Sequence, residues 1–131
     1  IKQIETIEEG SYFYQKAQAL IPEIGRKMLD LAQETLDKRD ADQAVEIANR
    51  IPAIANLETE VQDFVVIAEA HRTAFVGTVS SIEAAIAEAQ KVGLDRPLYY
   101  KAQDAIARWQ LEIEDVKHLE KARNLAQPGT V

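Results

Sequence analysis

The run Leu98-Tyr99-Tyr100-Lys101-Ala102-Gln103-Asp104-Ala105-Ile106 is written three times in this chain, and that constrains the fold more than any other feature. Phe13-Tyr14-Gln15-Lys16-Ala17-Gln18-Ala19-Leu20-Ile21 matches it at Tyr, Lys, Ala, Gln and Ile. A weaker copy is Leu57-Glu58-Thr59-Glu60-Val61-Gln62-Asp63-Phe64-Val65. Each copy opens on an apolar residue, has a small or branched one four later, then Gln, then Ile or Val. The anchors Phe13, Leu57 and Leu98 are spaced by 44 and 41 residues. Spacing in the range of about 20–50 residues is the mark of a solenoid-like array.

The segments ahead of the anchors repeat as well. Ala44–Ile51 matches Ala85–Val92, and in both the anchor leucine follows six residues after the last apolar residue. Ile7 stands in that relation to Phe13, so Ile1–Glu8 reads as the end of a short helix whose start is missing. Gly129-Thr130-Val131 repeats Gly77-Thr78-Val79, the entry to a short helix. With no Met at position 1, the pattern suggests a domain cut from a longer array. The division is one α-helical domain, 1–131, with a partial repeat 1–39 and repeats 40–77 and 78–129.

The expected class is all-α: antiparallel helical hairpins stacked side by side, as in a TPR-like or α-solenoid fragment, with a four-helix bundle as the alternative. Only 5 Gly and 4 Pro in 131 residues point to few turns and long helices. Gly10 and Ser11 are expected to end the first short helix. The helix after them places Phe13, Ala17, Ile21, Ile24, Met28 and Leu31 on one stripe, with a kink or break at Pro22. Asp40 with Gln43, and Ser80 with Glu83, read as N-terminal capping boxes. Leu57, Val61, Phe64, Val65, Ala68 and Phe75 form the next stripe. Val66 and Ile67 make Phe64–Ala68 apolar nearly all round, which predicts burial on several sides. The helix from Leu98 carries Ala102, Ile106, Trp109, Ile113 and Val116, and is expected to extend toward Ala126. Recurrent alanines (Ala48, Ala85, Ala89, Ala102, Ala105) permit close helix contact.

A net charge of −7 with scattered basic residues, as in Lys38-Arg39-Asp40, argues against nucleic acid as a partner. The absence of cysteine removes disulfides and thiol chemistry. No apolar run approaches the roughly 18 residues of a membrane span. No direct membrane insertion is expected. The cytoplasm is slightly favoured for a soluble chain, with a membrane-anchored parent protein also allowed.

Chemistry-bearing patterns are thin. Asp115 and His118 stand at i, i+3, half of a carboxylate-bridged dimetal site, but the other histidine, His71, has Ala68 three residues before it. Packing between Ala68 and Phe75 is the better reading of His71. The serines fall at expected helix starts, where capping explains them. No catalytic residue, metal or cofactor is expected. The candidates for partner binding are Tyr12, Tyr14, Tyr99 and Tyr100, placed beside the anchors; tyrosine is enriched at interfaces because it is apolar with a polar tip. Tyr99 and Tyr100 cannot share one helix face, so one of them should point away from the core.

A short helix, a loop with Pro97, then Leu98, Tyr99, Ala102, Gln103, Ile106 and Trp109, closing on Leu125-Ala126-Gln127-Pro128-Gly129-Thr130, resembles the tandem α-hairpin repeats of large, poorly characterised cyanobacterial proteins. Some of these are labelled chromosome-segregation-ATPase-like. Residues 78–130 carry the resemblance; in the first two copies Ile24 and Ala68 replace the tryptophan. The repeats are also loosely similar to tetratricopeptide hairpins, though longer and without that family's Trp and Pro positions. The resemblance implies a helical scaffold and no catalytic residue. The expected function is a non-catalytic module for protein–protein interaction or spacing, with another protein or flanking repeats as partner and a weak homodimer through exposed repeat ends. The competing reading is a four-helix-bundle protein that binds a metal or ligand.

Overall fold

The computed structural model describes residues 2–126, with side-chain surroundings for residues 15, 16 and 19–125. The chain is all-α, and no strand occurs among the described residues. The elements are α1 (Lys2–Asp37), α2 (Ala41–Asn49), a 3-10 turn (Ala53–Ala55), α3 (Glu58–Ala74), α4 (Val79–Ala89) and α5 (Tyr99–Ala126). Long and short helices alternate. Each helix packs on its neighbours in the chain, the 3-10 turn rests on α1, and α1 also touches α3 lightly.

The expected break at Gly10-Ser11 does not occur; α1 runs unbroken through both. A glycine inside a helix costs about 1 kcal/mol, too little to end one flanked by Glu8, Glu9, Gln15 and Lys16. Pro22 does not end the helix either. It lies on the exposed side, where water can serve the carbonyl that its missing N–H leaves free.

The buried side of α1 also differs from the expected stripe. Gly25, Leu29, Ala32 and Leu36 are buried, whereas Ile24 and Leu31 are about half exposed and Ile21 and Met28 are intermediate. Phe13 and Ala17 lie outside the described side chains. Two apolar stripes share this helix, and helical period alone cannot choose between them. Close approach decides: a Cβ on Gly25 would meet the Ala55 Cβ at 2.8 Å.

The other caps follow from local chemistry. Asp40 accepts from the Gln43 N–H at 3.1 Å, as expected. The cap of α4 is Thr78 with Ser81, two residues before the expected Ser80 and Glu83. Thr78 Oγ1 accepts from the Ser81 N–H at 3.0 Å and Ser81 Oγ accepts from the Thr78 N–H at 3.1 Å. Gly77, at φ +84°, provides the left-handed residue ahead of that cap.

The core follows the predicted stripes of α3 and α5. Phe64, Ile67 and Ala68 are buried with Ala102, Ile106, Trp109 and Ile113, and the recurrent alanines are nearly solvent-free. Trp109 is 4% exposed. At the edge of this core Asp63, also buried, accepts two hydrogen bonds from Arg96, at 2.8 Å from Nε and 3.0 Å from Nη2. This pair ties α3 to the α4–α5 loop. Arg26 Nη2 donates to Glu60 Oε1 at 3.1 Å and ties α1 to α3.

Candidate functional site

The C-terminal end of α1, the second half of α3 and the middle of α5 surround a cleft of about 530 Å³, with an adjoining space of about 310 Å³. The two share Asp37, His71, Ala105 and Arg108. Small-molecule and side-chain pockets commonly span about 300–1,000 Å³. Across the narrower part, Lys101 Nζ donates to Gln33 Oε1 at 3.4 Å, so α1 and α5 approach each other over α3.

The floor of the cleft is aromatic. The His71 ring meets the Trp109 ring nearly edge-on, with centroids 4.8 Å apart, and lies 6.0 Å from the Phe75 ring. Helical spacing brings His71 and Phe75 together at i, i+4. The neighbouring α5 provides Trp109. Arg39 lies over the opposite end, its guanidinium carbon 4.7 Å from the Phe75 ring centroid.

Arg39 occupies an unusual place. Its φ is +69°, the left-handed region where glycine is favoured. It closes α1 in a Schellman arrangement: the Arg39 N–H donates to the Leu36 carbonyl at 2.8 Å and the Asp40 N–H to the Thr35 carbonyl at 3.2 Å. A non-glycine residue here costs roughly 1–2 kcal/mol, and the side chain so placed lines the cleft.

Charge around the cleft is mixed. Asp37, Asp104 and Glu112 stand against Arg39, Lys101 and Arg108. Asp37 is engaged, accepting from Gln33 Nε2 at 3.0 Å. Asp104 and Glu112 lie one turn to either side of Arg108 on α5. Even so, Arg108 makes no hydrogen bond or ion pair among the described residues. Burial, and then the positive charge of Arg108, hold the His71 imidazole below its ordinary value; Asp37 acts in the opposite direction. The site therefore presents a neutral, half-buried imidazole beside an unpaired guanidinium.

Of the four candidate tyrosines, Tyr12 and Tyr14 lie outside the described side chains. Tyr100 is 76% exposed, and Tyr99 packs against the core with its ring edge-on to that of Tyr100 at 5.4 Å. Neither lines the cleft. Tyr100 does adjoin Lys101 on its rim. Asp115 and His118 are both exposed on α5, and no group of His, Asp and Glu residues able to hold a metal occurs among the described residues. His71 is packed, as expected, but it also opens to the cleft.

Sequence reasoning missed Arg39 and Arg108. Arg108, flanked by Asp104 and Glu112, reads as part of a solvated face, and nothing in its spacing marks it out. The position just after a helix end at Asp37 was the available signal for Arg39. No helix among the described residues is long and apolar enough to cross a membrane. The chain has no significant match among protein-family models, curated proteins or solved structures.

Proposed function

We propose that this chain is a non-catalytic helical-repeat module that binds another protein through the cleft between α1, α3 and α5, or spaces the parts of a larger protein on either side of it. The observation that carries the binding reading is the cleft itself, a concave surface with a rigid aromatic floor and an unpaired arginine on its wall. The stacked-hairpin reading draws support from burial. Ala41, Ala44 and Ala48 of α2 are buried, and so are Ile82, Ala85 and Ala89, each 41 residues on. Leu57 and Leu98, at the same spacing, are buried too. Adjacent hairpins thus repeat one packing pattern, as in an array whose units bury their faces on neighbours.

A photo-cross-linking amino acid placed in turn at Lys101, Glu112, Tyr100 and Glu83 tests the binding reading in extracts of the source cells. Lys101 and Glu112 line the cleft, Tyr100 sits on its rim, and Glu83 is exposed on α4. The expected result is one discrete adduct from the two cleft positions and none from Glu83. A Tyr100 adduct would extend the surface to the tyrosines. Adducts of equal yield from all four positions, or from Glu83 alone, would overturn the cleft as the binding surface.

A further inference from the structure

We infer that the cleft receives a single carboxylate side chain from a partner peptide segment, held between Arg108, Arg39 and His71, and that this segment carries basic residues on either side of that carboxylate. The inference rests on the proposed binding role and names the chemistry of the partner.

Three donors converge on one concavity. The His71 ring is fixed edge-on against Trp109 at 4.8 Å. Arg39 is fixed over Phe75 at 4.7 Å, on a backbone held left-handed to put it there. Arg108, the residue before Trp109, lines both parts of the cleft and has no partner among the described residues. Restricting two of the three donors in advance lowers the ordering cost of binding. An unpaired guanidinium in a concave, partly desolvated site attracts an anion more strongly than one on an open surface, and a carboxylate matches its two-pronged donor geometry.

The acids define the rest of the ligand. Asp37, Asp104 and Glu112 share the walls with Arg39, Lys101 and Arg108, so the local charge is balanced within a chain of net charge −7. A run of acids, or a nucleic-acid backbone, would meet those carboxylates and the long-range repulsion of the whole chain. One carboxylate flanked by Lys or Arg satisfies both sets of wall charges.

His71 then reports occupancy. A carboxylate settling between it and Arg108 stabilises the protonated imidazole, so its pKa rises on binding. The test uses NMR of the full chain, in which the only other histidine is the exposed His118. The probes are acetylated, amidated peptides with one Glu and a Lys two residues to each side, the same peptides with Gln for Glu, a poly-glutamate peptide, and inorganic phosphate. The Glu peptide is expected to shift His71 saturably and raise its pKa while leaving His118 unmoved. The Gln peptide and poly-glutamate should bind at least about tenfold more weakly, reflecting loss of a charge-assisted bond. Arg108→Gln should weaken the Glu peptide by about the same factor with an unchanged far-UV CD spectrum; if that variant unfolds, Arg39→Gln makes the same comparison. Equal shifts from the Glu and Gln peptides, no shift at millimolar peptide, or phosphate acting as strongly as peptide would each overturn the inference. Cross-linking from the cleft in cell extracts, together with silent peptides, would leave the binding surface standing and remove only this ligand chemistry.

Discussion

Gly25→Ala is the substitution for which local propensity and packing make opposite predictions. On propensity alone, alanine inside α1 gains about 1 kcal/mol over glycine. Packing opposes this. The new Cβ would lie 2.8 Å from Ala55 Cβ, 3.1 Å from Leu57 Cδ1 and 3.4 Å from Ile51 Cγ2. Relaxed carbon–carbon contacts fall near 3.5–4.0 Å. Leu57 can turn its side chain away. Ala55 has no side-chain freedom and belongs to a 3-10 turn that ends on Asn56 at φ +60°, so relief requires the backbone of that turn to move. Overpacking of this kind costs about 1–3 kcal/mol, and the net expectation is destabilisation by about 1 kcal/mol, against the propensity gain. In an Ala55→Gly background the obstructing methyl is gone, and Gly25→Ala should then stabilise by about 1 kcal/mol. Urea unfolding followed by far-UV CD reads all four corners of the cycle, which should show a coupling of about 2 kcal/mol. Stabilisation by Gly25→Ala alone, with no coupling to Ala55, would show that α1 does not rest on this turn.

Three further outcomes follow from the structure. Arg96→Ala should destabilise more than Asp63→Ala, because it strands a buried carboxylate whereas the half-exposed guanidinium can return to water; urea midpoints of the two variants and the double variant check this, and equal losses would contradict it. The folded chain takes up the His71 proton at lower pH than the unfolded chain, so this group's contribution to stability is full above its ordinary value near 6.5 and falls as pH drops through that value toward the folded one. His71→Gln should remove that slope, and identical pH profiles for the two proteins would refute the burial of the imidazole. On α5, Leu111, Leu119 and Leu125 are 68%, 58% and 80% exposed, and such apolar surface favours weak self-association that strengthens with salt as the −7 charge is screened; light scattering that stays monomeric at high concentration and high salt would exclude it.

Much of this architecture was legible because period and spacing encode it directly. Leu98, Ala102, Ile106, Trp109 and Ile113 repeat at helical intervals and are buried, and Asp40 with Gln43 forms the expected cap. Reading α1 was harder for a physical reason. It carries two apolar stripes, and the choice between them lies in a close contact between Gly25 and Ala55, 30 residues apart in the sequence. Gly10 and Pro22 look like breaks when only local propensity is counted, yet the helix continues through both. The cleft was not legible at all. It depends on Arg39 at a helix end, His71 and Phe75 on α3, and Arg108 on α5 converging in space, and each of these has an ordinary reading in its own segment. The tyrosines stood out by composition and repetition, but Tyr99 went to the core and Tyr100 to solvent.

The binding account depends on α1 and α5 facing each other across α3, where Lys101 reaches Gln33 at 3.4 Å. The chain has no cysteine, so the double variant Gln33→Cys, Lys101→Cys can be labelled with pyrene at those two positions alone. The account predicts strong excimer emission from the folded protein at low concentration, independent of dilution and lost in urea. Monomer emission alone from a folded, fully labelled sample would show the two helices splayed apart, and the cleft with its convergent arginines would not exist.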